Sequence, residues 1–134
     1  MKSQEQVFRL DPKSGVPVYR QIMDQITGAI AAGALVPGEQ LPTVRKLAVD
    51  LAINPNTVIR AYRELEIRGV LETQQGTGTF VAEKKLERSE AESERALRQL
   101  VGEFVARAGA AGFSVADVLG RLEEFSKSNG VKGR

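Results

Sequence analysis

The sequence predicts a mainly α-helical fold with one small β-hairpin, and three observations carry that prediction. LPTVRKLAVDLAINPNTVIRAYRELEIR, from Leu41 to Arg68, holds two short amphipathic helices, each with a capping residue at its head. VLETQ and TFVAE flank Gly76-Thr77-Gly78, which makes two extended runs around a glycine-bearing turn. Beyond residue 84 a charge-rich stretch, KKLERSEAESER, gives way to two more apolar stripes at helical spacing. The chain therefore divides into residues 1–83, a helix-turn-helix with an N-terminal arm and a hairpin, and residues 84–134, a helical pair with a polar tail.

Taken in order, residues 1–15 form a loosely held arm with Phe8 and Leu10 as its anchors. From Pro17 to Ala32, Val18, Tyr19, Ile22, Ile26, Ala29 and Ile30 make one apolar stripe; Pro17 suits a first turn and Gly33 a stop. Pro37-Gly38 marks a turn, and Glu39 to Leu41 forms a very short strand. Thr43 then caps a helix running to Ala52 whose stripe is Val44, Leu47, Ala48 and Leu51. Asn54 caps the next, with Pro55 at the first helical position and Gly69 as the stop after Arg68.

On a wheel of about 100° per residue, Val58, Ala61, Tyr62 and Leu65 fall on one side of this second helix. Asn56, Arg60, Arg63 and Ile67 fall on the other. The wet side thus offers amides and guanidiniums, the groups that bond bidentately to adenine and guanine edges in a major groove. Helix, short turn and helix with Asn-Pro-Asn at the junction is helix-turn-helix geometry, in which the second helix enters a groove by its N-terminal end. A plain surface helix with arginines on its wet face is the other reading of this segment. The hairpin directly after it is positioned as a wing, whose glycines let backbone N–H groups approach phosphate. The alternative is a ribbon that covers the edge of the core.

Composition narrows the classes. With 134 residues and 42% apolar content, the chain suits one compact core plus an appendage. It has no cysteine and no histidine, so disulfides, zinc fingers, imidazole acid–base chemistry and thiol nucleophiles are excluded; no metal or cofactor set emerges and an enzyme is not expected. No apolar run approaches the ~18 residues a membrane span needs, and MKSQEQVFRLDPK does not resemble a signal peptide, so a cytoplasmic location is expected. The balance is 19 basic against 17 acidic residues, and residues 1–83 carry nine of each. Any nucleic-acid affinity in that neutral half has to come from the local placement of Arg45, Lys46, Arg60 and Arg63.

PVYRQI, then L-x-PGEQLPTVRKLA, then NPNTVIRAYRELE, then G-x-L-x-x-x-x-G-x-GTFV resembles, across about residues 8–82, the N-terminal winged helix-turn-helix of the GntR family of bacterial transcription regulators. The Asn-Pro-Asn-Thr-Val-x-Arg-Ala-Tyr variant and the short C-terminal part are similar to its YtrA-like subfamily. The resemblance implies double-stranded operator DNA as partner. It also implies contacts from the arginine of the LPxxR segment, from the start of the recognition helix and from the glycine-bearing wing. On matching positions these are Arg45, Asn54, Asn56, Thr57, Arg60, Gly76 and Gly78, with Thr77 between the glycines. Many members have an arginine where this chain has Ile59, so a contact made there would be absent.

In the C-terminal half, Leu97, Leu100, Val101, Phe104, Val105 and Ala108 mark one face of a helix ending near Gly109 to Gly112. Ser114 with Asp117 forms a capping box, and Val115, Val118, Leu119, Leu122 and Phe125 form the stripe of a last helix, followed by SKSNGVKGR as a disordered tail. Two helices of this size cannot bury both stripes against each other. A homodimer through Leu97, Leu100, Val101, Phe104, Val118 and Leu122 is expected, and it would supply the two-fold axis of a palindromic site. Docking of the pair back onto its own chain is the alternative. A sequence-specific dimeric repressor is the leading function, an architectural or protein-interaction winged helix the competing one. The residues identify no operator, regulated gene or small-molecule effector.

Overall fold

The computed structural model describes residues 8–83 and 88–129. These form two compact units, one on each side of the gap. The elements are α1 (Val18–Ala32), α2 (Val44–Leu51), α3 (Pro55–Ile67), β1 (Leu71–Gln74), β2 (Gly78–Val81), α4 (Glu90–Ala110) and α5 (Val115–Asn129).

In the first unit, α3 packs against both α1 and α2. Ile22 and Ile26 of α1 and Val58 and Leu65 of α3 are the largest fully buried side chains, joined by Leu47 and Ala48 of α2 and Leu71 and Val81 of the hairpin. Each of these side chains other than Ala48 contributes roughly 1.5–3 kcal/mol through its removal from water. The expected caps are in place. Thr43 accepts from the Lys46 N–H at 3.1 Å, and Asn54 Oδ1 accepts from the Asn56 N–H at 2.8 Å with Pro55 at the first helical position. Between them Ala52 ends α2 in the left-handed region at φ 57°. That conformation costs a residue with a Cβ about 1–2 kcal/mol and gives the abrupt reversal from α2 into α3.

Tyr62 fixes the angle between these helices from the other side. Its hydroxyl donates to the Pro42 carbonyl at 2.7 Å, just ahead of α2, and the ring is 4% exposed. Burial pushes the Tyr62 phenol far above the ordinary tyrosine range. Tyr62→Phe is expected to cost about 1 kcal/mol at pH 8, since the Pro42 carbonyl loses its donor. Because the folded pKa lies above the unfolded one, the stabilisation is complete below about pH 10 and declines as the unfolded chain ionises, by about 1.4 kcal/mol per pH unit. Urea denaturation of both proteins at pH 8 and pH 11 should therefore show the gap between them closing at the higher pH. A constant gap would mean that the phenol is not held neutral.

The hairpin pairs Leu71 with Val81, Glu72 with Phe80, Thr73 with Thr79 and Gln74 with Gly78. Gly78 is thus the first residue of β2 and not part of the turn, which is confined to residues 75–77. The short strand expected at Glu39 to Leu41 is a single bridge between Gln40 and Phe80, reinforced by Leu41 N–H to Thr79 O and Val81 N–H to Glu39 O, both 2.8 Å.

From residue 8 the arm is more firmly held than its composition implies, and the part of the expected arm before it lies outside the described residues. Phe8 and Leu10 pack on the core as expected. In addition the buried Gln21 accepts from the Asp11 N–H at 2.8 Å and donates to Asp11 O, Ser14 Oγ and Val16 O. Gln25 makes a reciprocal pair with the Arg9 backbone. Residues 9–16 are therefore clipped to α1.

In the second unit Ser89 and Glu92 form a capping box at the head of α4, and Ser114 and Asp117 form the expected one before α5. The Ser114 bonds hold the Asp117 carboxyl below its usual range. α5 continues through Asn129, so the first residues of the expected tail are helical; the rest of that expectation, from residue 130, lies outside the described residues. α4 contributes no buried residue. Leu97, Leu100, Val101, Phe104 and Leu122 are 51–62% exposed, and Val118 is half-buried.

Candidate nucleic-acid interface

The wheel drawn for α3 matches the structure: Val58, Ala61, Tyr62 and Leu65 are its buried residues, while Asn56, Arg60, Arg63 and Ile67 are exposed. Arg45, the second residue of α2, is exposed as well. The side chains of Arg45, Asn56 and Arg63 have no hydrogen-bond or ion-pair partner among the described residues, so their donors are available to a ligand. Thr57 is half-buried in the first turn of α3.

The remaining polar residues have partners within the protein. Asn54 spends its side-chain oxygen on the helix cap, leaving only its amide N–H groups for a ligand. Lys46 pairs with Asp50 at 3.0 Å, which locally offsets its charge. Arg60 lies over the Tyr19 ring with its guanidinium carbon 3.8 Å from the centroid. That cation–π contact is worth about 0.5–1 kcal/mol at an exposed site and draws the side chain toward α1. Ile59 is half-buried, so an apolar side chain suits the position where an arginine is absent.

At the hairpin tip the Thr77 N–H and hydroxyl both donate to Gln74 O, at 2.9 and 3.0 Å. Gly76 sits at φ 84°, where glycine avoids the strain other residues meet, and a Cβ there would find open space. The tip is exposed at Gly76 and Thr77. Helix, turn, helix and an adjoining exposed hairpin thus form a winged helix-turn-helix on which Arg45, Asn56 and Arg63 have no side-chain partner among the described residues.

Residues 18–81 match the family described as "Bacterial regulatory proteins, gntR family". Over 115 residues the chain is 36% identical to the uncharacterized HTH-type transcriptional regulator YhcF of Bacillus subtilis (strain 168), covering 86% of this chain and 94% of that protein. The chain belongs to the GntR family. It is also 44% identical over 77 residues to the HTH-type transcriptional repressor YtrA of the same organism, spanning 58% of this chain and 59% of YtrA, which fits the YtrA-like subfamily. Among solved structures, a transcriptional antiterminator from Listeria monocytogenes EGD-e superposes with a TM-score of 0.69 at 29% identity, covering 97% of this chain and 100% of that one. The DNA-binding domain of AraR in complex with operator ORX1 gives 0.51 at 30% identity, over 60% of this chain and 100% of that one. As a GntR-family protein the chain is a DNA-binding transcription regulator and not an enzyme. Among the described residues no helix is long and apolar enough to cross a membrane.

Proposed function

We propose that this GntR-family regulator is a cytoplasmic homodimer that represses by occupying a palindromic operator. In each half-site the N-terminal end of α3 enters the major groove, with Asn56 and Thr57 at the base edges and Arg45 reaching in from α2. Arg60 and Arg63 contact the phosphate backbone, Lys46 adds a weaker share and the cap residue Asn54 approaches through its amide. Gly76 and Thr77 bring the wing tip alongside, and Gly78 shapes it. The observation that carries this reading is the exposure of unpartnered Arg45, Asn56 and Arg63 on a unit with no net charge. Such a unit gains little from long-range attraction, so its affinity must come from fitted contacts. The solved complex of the AraR DNA-binding domain with its operator and the repressor name of YtrA support the same reading.

The two-fold axis comes from the second unit, where α4 and α5 leave Leu97, Leu100, Val101, Phe104 and Leu122 exposed. Between the helices lies an open apolar groove of about 310 Å³ lined by Leu100, Phe104, Val118 and Leu122 among others. A second copy of the same pair would cover it with like surface. Selection of bound sequences from random DNA tests the whole proposal. An inverted repeat bound roughly a thousandfold more tightly than bulk DNA is expected; an unselective pool would instead identify an architectural DNA-binding protein.

A further inference from the structure

Gln40 and Gly78 stand on opposite sides of one small space. The Gln40 side chain leaves the segment before α2, passes over Gly78 and donates from Nε2 to the Thr77 carbonyl at 3.0 Å, across 37 residues of sequence. A Cβ built on Gly78 would lie 2.5 Å from that nitrogen, and the backbone there has φ 136°, a conformation that residues with a Cβ rarely adopt. The backbone on either side is already tied, through the Gln40 bridge to Phe80 and the Leu41 N–H to Thr79 O bond. Beyond Gly78, among the described residues, the tip has the turn bonds from Thr77 to Gln74 and this one amide.

We propose that Gln40 is the positioning residue of the wing: its amide occupies the notch left by Gly78 and, by tying down the Thr77 carbonyl, fixes the orientation in which the tip meets DNA. Gly78 is then a glycine for the sake of Gln40, not for close approach of DNA, and only Gly76 serves the tip itself. The inference rests on the reading of the hairpin as a DNA-contacting wing. It adds a residue outside the hairpin that sets the wing's geometry, and it links the wing to the lead-in of α2, three residues before Thr43, which caps that helix at Lys46.

Gln40→Met keeps the length and the apolar stem but removes the donor. In the full chain it is expected to speed hydrogen exchange of the Thr77 amide, leave the melting temperature nearly unchanged, and weaken operator binding by roughly three- to tenfold, as loss of one hydrogen bond would. The slope of log affinity against log salt should stay the same, because Gln75, Gly76 and Thr77 of the tip carry no charge and release no counterion. Gly78→Ala displaces the same amide, so the two substitutions should not add: the double variant should bind more tightly than the product of the single losses predicts. Gln40→Glu, of the same shape but without the donor, should fail to restore binding even at high salt, where its charge is screened. Unchanged Thr77 exchange together with additive losses would overturn the strut. A loosened tip with unchanged operator affinity would also overturn the positioning role, and it would locate the failure in the wing's contact with DNA and not in the Gln40 bond.

Discussion

Cutting the chain after Glu83 is expected to leave a folded monomer that binds a palindromic operator about a hundredfold or more less tightly than the whole protein. The buried side chains of the core all lie between Gln21 and Val81, and α4 adds none, so the first unit keeps its packing when the second is removed. Each half-site would still be recognised. What disappears is the tether, because two linked heads raise each other's effective concentration while two separate ones do not. Phe104→Glu should reproduce the effect without deleting anything. Phe104 is 52% exposed in the single chain, so a carboxylate there is solvated in the monomer, but it would be forced out of water between two copies. Sedimentation separates the cases. A truncated protein that remains dimeric, or that holds a palindrome as tightly as the full chain, would falsify the assignment of α4 and α5 as the dimer contact.

The parts of this fold legible in the sequence are those specified within a turn or two of chain. Thr43, Asn54-Pro55, Gly33 and the Ser114–Asp117 pair act on backbone groups no more than four residues away, and each stands where its type predicts. The buried face of α3 was legible for the same reason: helical periodicity alone separates Val58, Ala61, Tyr62 and Leu65 from Asn56, Arg60 and Arg63. Ser89 with Glu92 carried an equally local signal, inside a charged run that reads as either a linker or first helical turns; from Glu90 it is helix, and residues 84–87 lie outside the described residues. Ser126 to Asn129 read as tail because their composition is polar, yet α5 extends through them, since adding a residue to an existing helix is far easier than starting one.

Long-range polar contacts left no such trace. Nothing near Gln21 predicts that its amide will hold residues 11–16, and nothing in the spacing of Tyr19 and Arg60 predicts a stack between them. The stack exists only once α1 and α3 are packed together, and the Gln21 bonds only once the arm folds back along α1. The consequence for the candidate site is specific: exposure of its residues and the Asn54 cap could be read from the sequence, whereas the stacking of Arg60 on Tyr19 could not. Lys46 and Arg45 are adjacent basic residues, but Asp50 sits one turn from Lys46 and pairs with it at 3.0 Å.

That difference sets the second large effect. Arg45→Ala is expected to cost about 1–3 kcal/mol in operator binding and to relax base preference at one position of each half-site, as removal of a bidentate guanine contact does. Its guanidinium is exposed and has no partner among the described residues, so the substitution breaks no internal bond and the melting temperature should barely move. Lys46→Ala is the matched control on the adjacent residue. With its charge already offset by Asp50, it should weaken binding less and alter no base preference, while the salt slope falls by less than one counterion. Competition binding against an operator series changed at single positions distinguishes the roles. If Arg45→Ala lowers affinity by the same factor for every sequence, the residue is a phosphate contact, and base reading in this regulator must come from the first turns of α3 alone.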